Sequence, residues 1–273
     1  MRLPHGSGPC YHGHVMRGTA PRTPVAINVL AYGWMAWLLL PFAVLFAGFL
    51  ARLDLTYSVF ADPRFLSAFW ISLASAFLTA AIAGFFAIPA AYALAFGRFR
   101  NASVLETLMI DIPQTLPPVA VGVIYLFALG PATPWNIAYT FLAVIIAKLV
   151  VASPFALSHT LRRFRDIRET KLDLIARSLG ADTKDVLLRV LVPMSRREIA
   201  AGLTLTWARA MGEFGGSLIF AGVIAYKTEI LPTYANRLSQ QAPLLALAAS
   251  TVMVAFALLA LVTVKSLIAG KER

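Results

Sequence analysis

Three ionisable residues sit in surroundings that are otherwise apolar: Lys148, Arg209 and Glu213. Such groups in membrane-type sequence face a bundle interior or a water-filled cavity and find partners there. Arg209 and Glu213 are four positions apart, which puts them on one face of a continuous helix. Two chemistries fit: a structural intrahelical ion pair, or a guanidinium that meets an anion on its way through the bundle. Lys148 either completes a triad with them or attracts an anion itself. Gly212, Gly215 and Gly216 weaken or bend the chain beside these charges, or let a neighbouring helix approach closely. Ser217 adds a hydroxyl next to them. A second polar stretch, Gln114, Thr115, Pro117 and Pro118, interrupts another apolar run. Proline frees carbonyls there that must face protein or water rather than lipid, so the stretch is a gate or a structural kink.

Other chemistries find no support. The sequence has no GxxxxGK[ST] phosphate loop, no HExxH, no Gly-x-Ser-x-Gly and no metal-ligand cluster, so the chain is not expected to hydrolyse ATP or to hold a metal or cofactor. Cys10 is the single cysteine, which excludes an intrachain disulfide. His5, His12 and His14 lie in a Gly-, Pro- and Arg-rich N-terminal stretch with no acidic partner. Residues 1–27 therefore read as a disordered cytosolic tail.

These groups must be positioned by membrane helices. Of the 273 residues, 59% are hydrophobic and 14% are charged, about half the charge of an ordinary soluble domain. Six apolar runs are long enough to span a bilayer, at about 28–50, 65–96, 108–129, 136–158, 197–224 and 243–268. The second is longer than a crossing needs and is expected to tilt, or to bend at Pro89. The net charge of +11 follows the same map. With the N-terminus inside, 18 of the 24 basic residues fall in cytosolic segments and 4 in outer loops. The positive-inside rule then puts both termini, including the tail 269–273, in the cytosol. Basic residues distributed between apolar runs argue for topology rather than for nucleic acid.

The central loop, 159–196, carries its own pattern. Leu172, Ile175 and Leu179 form one apolar stripe, Gly180 breaks the helix, and Asp182 caps a second helix with Val186, Leu187, Val190 and Leu191 on one face. Pro193 is expected to stop it. A helix, a sharp turn and a second helix suit a partner's groove, the alternative being a loop lying on anionic lipid. The stretch "ARSLGADTKDVLLRVLVP" resembles the signature loop of ABC importer permeases, with Ala176, Gly180, Val190, Val192 and Pro193 at matching positions. Leu174 and Ile175 depart from the usual Glu and Ala, and Asp173 supplies an acid one position early. "WARAMGEFGGSLIFAG" and "IPQTLPPVAVG" are similar to segments of molybdate, tungstate and sulfate permeases.

The resemblance implies an all-α, polytopic ABC importer permease fold with six transmembrane helices in the cell membrane. It implies a homodimer with the path between two copies, two cytosolic ATPase subunits that bind ATP and Mg, and an extracytoplasmic oxyanion-binding protein docking on 51–64, 130–135 and 225–242. Asp173, Ala176, Arg177, Leu179, Gly180, Ala181, Val190 and Pro193 would engage the ATPase. Thr115, Pro117, Pro118, Lys148, Arg209, Glu213, Gly215, Gly216 and Ser217 would line the path. The cargo implied is molybdate or tungstate, with sulfate or thiosulfate as the alternative. An ion-coupled transporter acting alone is a rival, but 28–129 and 136–268 show no clear internal repeat. A membrane-embedded enzyme is another, but no catalytic set clusters at one depth. The topology is directly testable: a reporter fused after Arg168 should read cytosolic and one after Tyr226 external, and reversed readings would overturn the six-span map.

Overall fold

The computed structural model describes residues 25–269 apart from 52 and 98; the N-terminal stretch 1–24 and the end of the expected C-terminal tail lie outside the described residues. Every regular element among them is helical. Two compact units are present, one ending at Val44 and one beginning at Leu45.

Helix α1, Val25–Ala51, is apolar on every side and buries no residue. A helix of that kind requires lipid or other protein around it. Its last two turns, from Leu45, belong to the larger unit. Helix α2, Leu53–Ala61, leads to α3, Pro63–Phe96. Asp62 caps α3 by accepting from Arg64 N at 2.9 Å, and Pro63 takes the first-turn position where a missing N–H is harmless. The helix passes Pro89 unbroken and stops before Gly97. At 34 residues it is about 51 Å long, well beyond an apolar thickness of about 30 Å.

The third expected span is broken. It consists of α4 (Ala102–Glu106), a π-helical turn (Thr107–Asp111), α5 (Ile112–Thr115) and α6 (Pro118–Leu129). The two halves meet at 109°. Leu116 and Pro117 are both extended, because each precedes a proline that excludes the helical conformation. The fourth span starts later than expected. Pro131, Pro134 and Asn136 hold the chain in turns, and α7, Phe141–Glu169, begins where Thr140 caps it through Ala143 N. Helix α7 then continues to Glu169, well into the stretch assigned from sequence to the loop.

The loop holds α8 (Leu172–Ser178), Gly180 with φ of +92°, α9 (Thr183–Asp185) capped by Asp182, and a π-helical turn (Val186–Leu191). Pro193 does not end the second helix. The chain runs on through α10, Val192–Met194, to Ser195. As at Pro113, the wider π turn lies immediately before the proline and accommodates its ring and missing N–H.

Helix α11, Arg196–Met211, ends well short of the expected 197–224. Its 16 residues span about 24 Å, too little to cross alone. After a break come a π-helical turn (Ser217–Ala221), α12 (Leu231–Gln241) and α13 (Pro243–Ala269). Four helices are long and apolar enough to cross a membrane, or five if the bent pair counts as one span.

Helix α3 is the centre of the larger unit, packed on both α7 and α11. Its buried face is built from small residues at helical spacing: Ala68, Ser72, Ala76, Ala80, Ala83, Ala87 and Ala91. Small side chains let helices approach closely where no hydrophobic effect drives them together. Gly84 shows how close: a Cβ there would lie 2.6 Å from Leu203 Cδ2. The N-terminal end of α3 is fixed by a polar cluster. Arg64 Nη2 donates to the buried Glu229 at 2.9 Å, and Arg237 Nε reaches the same carboxylate at 3.4 Å. Tyr234 donates to Asp62 at 2.7 Å, beneath the Arg237 guanidinium. Burial, and then the bond to Asp62, raise the Tyr234 hydroxyl well above its ordinary pKa.

Candidate functional site: a broken helix around a buried carboxylate

The helical register that would pair Arg209 with Glu213 ends two residues before Glu213. Gly212 closes α11, and the Glu213 side chain turns to the next segment instead. Its Oε1 accepts from Gly216 N at 2.7 Å, and its Oε2 from Ser217 N at 3.2 Å and from the Ser217 hydroxyl. The carboxylate is 1% exposed. It therefore caps the turn that resumes after the break, a use of a side-chain acceptor that competes with helix continuation. The expected Arg209–Glu213 ion pair is not formed.

A buried carboxylate needs compensation, and hydrogen bonds supply part of it. Lys148 on α7 is also fully buried, within electrostatic reach of Glu213 but without an ion pair to it, and donates to Ser75 Oγ of α3 at 2.7 Å. Ser75 in turn donates to Ser72 O, and Ser72 Oγ accepts from Leu231 N at 2.7 Å. The triad reading is therefore not met: among the described residues Lys148 bonds to Ser75, Glu213 to Gly216 and Ser217, and Arg209 joins neither. Arg209 lies in the last turn of α11, partly exposed, with no ion pair or hydrogen bond among the described residues. A helix C-terminus is a favourable place for a cation, but it leaves all five guanidinium donors free.

The Pro-Pro stretch meets the break directly. A Cβ on Gly215 would lie 2.9 Å from Val119 Cγ2 and 3.0 Å from Val119 N, and one on Gly216 would lie 3.2 Å from Pro118 O. From the other side, a Cβ on Gly122 would lie 2.8 Å from Gly216 O. The start of α6 thus rests backbone to backbone on Gly215 and Gly216, which only glycine permits. Thr115 is exposed and bonds back to Ile112 O at 2.9 Å, and Gln114 bonds to Ile110 O. Pro118, Lys148, Glu213, Gly215, Gly216 and Ser217 are therefore one assembly. Thr115 and Pro117 belong to its rim, on the bend before α6. Ser75 and Ser72 complete the assembly; hydroxyls in so small-residue a helix gave no signal of their own in the sequence.

The loop residues form a second group. Leu174, Ile175 and Leu179 are 58%, 54% and 83% exposed, while Leu172, Ala176 and Ala181 pack against the core of the larger unit. The expected stripe is therefore split: Leu172 faces inward, and Ile175 and Leu179 face out with Leu174. Asp173 is buried, and its Oδ1 has no hydrogen-bond partner. Arg177 Nη2 donates to the Tyr92 hydroxyl at 2.7 Å. Val190 is half-buried and Pro193 exposed.

Residues 87–270 match the family described as the binding-protein-dependent transport system inner membrane component. The chain belongs to that family, and it is a multi-pass membrane protein. It is 36% identical over 166 residues to a probable molybdenum ABC transporter permease protein of Haloferax volcanii, covering 59% of this chain and 60% of that one. It is 32% identical over 187 residues to the molybdate/tungstate transport system permease protein WtpB of Thermococcus kodakarensis, covering 68% and 73%. The sulfate transport system permease protein CysT of Escherichia coli is 29% identical over 183 residues, covering 64% and 65%. Among solved structures, a bacterial alginate ABC transporter in complex with a pentasaccharide-bound periplasmic protein shares the fold, with a TM-score of 0.65 at 17% identity over 88% of this chain and 91% of that one. The inward-facing MetNI methionine ABC transporter matches with a TM-score of 0.60 at 17% identity, over 76% and 96%.

The backbone contact gives a direct prediction. Gly215→Ala forces α6 away from the break, at about 1–3 kcal/mol for overpacking. Its thermal unfolding temperature in detergent should fall, whereas Gly33→Ala, where an added Cβ meets nothing, should leave it unchanged.

Proposed function

We propose that this chain is the permease subunit of an ATP-driven importer for a tetrahedral divalent oxyanion, molybdate or tungstate ahead of sulfate. The observation that carries the cargo is the free Arg209 guanidinium at the edge of the broken helix. A planar fork with five donors suits an oxyanion, and a cation already spent on Glu213 would not serve. The names of the Haloferax and Thermococcus relatives support molybdate or tungstate, and that of the Escherichia relative supports sulfate.

We read six crossings, with α11 and the turn at Ser217–Ala221 together as the fifth, and the distribution of basic residues supports both termini in the cytosol. The exposed apolar face of α8, Leu174, Ile175 and Leu179, suits the groove of a cytosolic ATPase subunit. Asp173 is buried beside that face, and its unpartnered Oδ1 is available to a group the partner supplies. Arg177, Gly180, Ala181, Val190 and Pro193 shape the turn that presents the face. Two such loops in a homodimer would be drawn together when two ATPases close on ATP and Mg, and the bundles would rock between inward and outward openings around the break. An extracytoplasmic binding protein would deliver the anion at the α12 side.

The test is uptake into vesicles by the whole transporter, with ATP supplied to the ATPase side. A hydrogen bond to a charged group is worth about 1.5–3 kcal/mol, so Arg209→Gln should lower molybdate uptake roughly 10- to 100-fold while the assembled complex keeps its yield. Wild-type uptake by Arg209→Gln would remove the guanidinium from the path. Accumulation without ATP would favour the ion-coupled transporter instead.

A further inference from the structure

Helix α3 touches each functional region of the chain in turn. Near its C-terminal end, Tyr92 accepts the hydrogen bond from Arg177 of α8, at 2.7 Å. The Tyr92 ring stacks on Phe96, with centroids 5.1 Å apart and planes 23° from parallel. The Arg168 guanidinium lies 6.0 Å from the Phe96 centroid and donates to Ala95 O. Seventeen residues earlier, about 26 Å along the axis, Ser75 receives the ammonium of Lys148. Three residues before that, Ser72 holds the backbone of Leu231. No helix break intervenes, since α3 runs through Pro89 as one element.

Arg177 is the side chain of the exposed loop helix that reaches this rod by a side-chain bond. Leu174, Ile175 and Leu179 are exposed, and Leu172 and Ala176 pack against the core of the larger unit. The hydrogen bond between the guanidinium and the phenol adds to that packing a directional contact between α8 and α3.

From this geometry we infer that Arg177 and Tyr92 are a pair of positioning residues that link the ATPase-docking helix to α3. Through α3 they bear on Ser75, the hydroxyl that accepts from Lys148 of α7 at the broken helix. The inference rests on the reading of α8 as the ATPase-docking element. The pair touches neither cargo nor nucleotide; its role is to make a displacement of α8 a displacement of α3.

Tyr92→Phe tests this with little risk to the fold, because the ring and its stack on Phe96 remain. In vesicles holding the permease, ATPase and binding protein, Tyr92→Phe should retain ATPase association and basal ATP hydrolysis. Its uptake per ATP hydrolysed should fall at least about fivefold, the lower end of typical coupling between sites. Arg177→Gln should lose a similar factor, and the double variant should be no worse than either single one. Unchanged uptake per ATP in Tyr92→Phe, or losses that multiply in the double variant, overturns the link. A wild-type complex that carries no ATPase overturns the docking reading and this inference with it, a result visible before any variant is made.

Discussion

A carboxylate buried in a membrane bundle at the point where a helix breaks is the constraint on which this structure turns. Glu213 is 1% exposed, and its carboxylate is held by three hydrogen bonds from the turn that follows, with the buried Lys148 within electrostatic reach. Those bonds fix the path of the chain after α11. That path brings Gly215 and Gly216 against the start of α6, and Lys148 ties the site to Ser75 on α3. Removing either charge strands the other in surroundings where a lone ion is costly.

The break also decides what remains for function. An unbroken fifth helix would set Glu213 one turn from Arg209 and neutralise it. With Glu213 bonded to the backbone, the Arg209 guanidinium in the last turn of α11 is partly exposed and has no ion pair among the described residues. Helix α3 supports both ends of this arrangement, with Ser72 and Ser75 at the broken helix and Tyr92 at the loop.

Much of this was legible in the sequence. The long apolar runs pointed to α1, α3, α7 and α13, because about 20 consecutive apolar residues mark a membrane helix, although α7 begins later and runs further than the apolar run itself. The loop's Gly180 and Asp182 act as a turn and a cap, as their types indicate. The charged and glycine residues at 209–217 marked the site, but spacing alone misassigned its pairing. An i, i+4 argument presumes a continuous helix, and the energy that ended this one came from side-chain capture of backbone N–H groups. The same limit applies at 108–129, where hydropathy cannot see a 109° bend, and at Pro193, where a π turn lets the helix continue past a proline.

The compensation between Lys148 and Glu213 is the claim most open to direct measurement. Unfolding free energies of the wild type, Lys148→Met, Glu213→Gln and the double variant in one detergent form a thermodynamic cycle. Each single variant should lose stability, and the double variant should recover part of it, with a coupling of at least about 1 kcal/mol. Losses that simply add would contradict the account, because the two buried charges would then be held independently and the broken helix would owe nothing to the lysine.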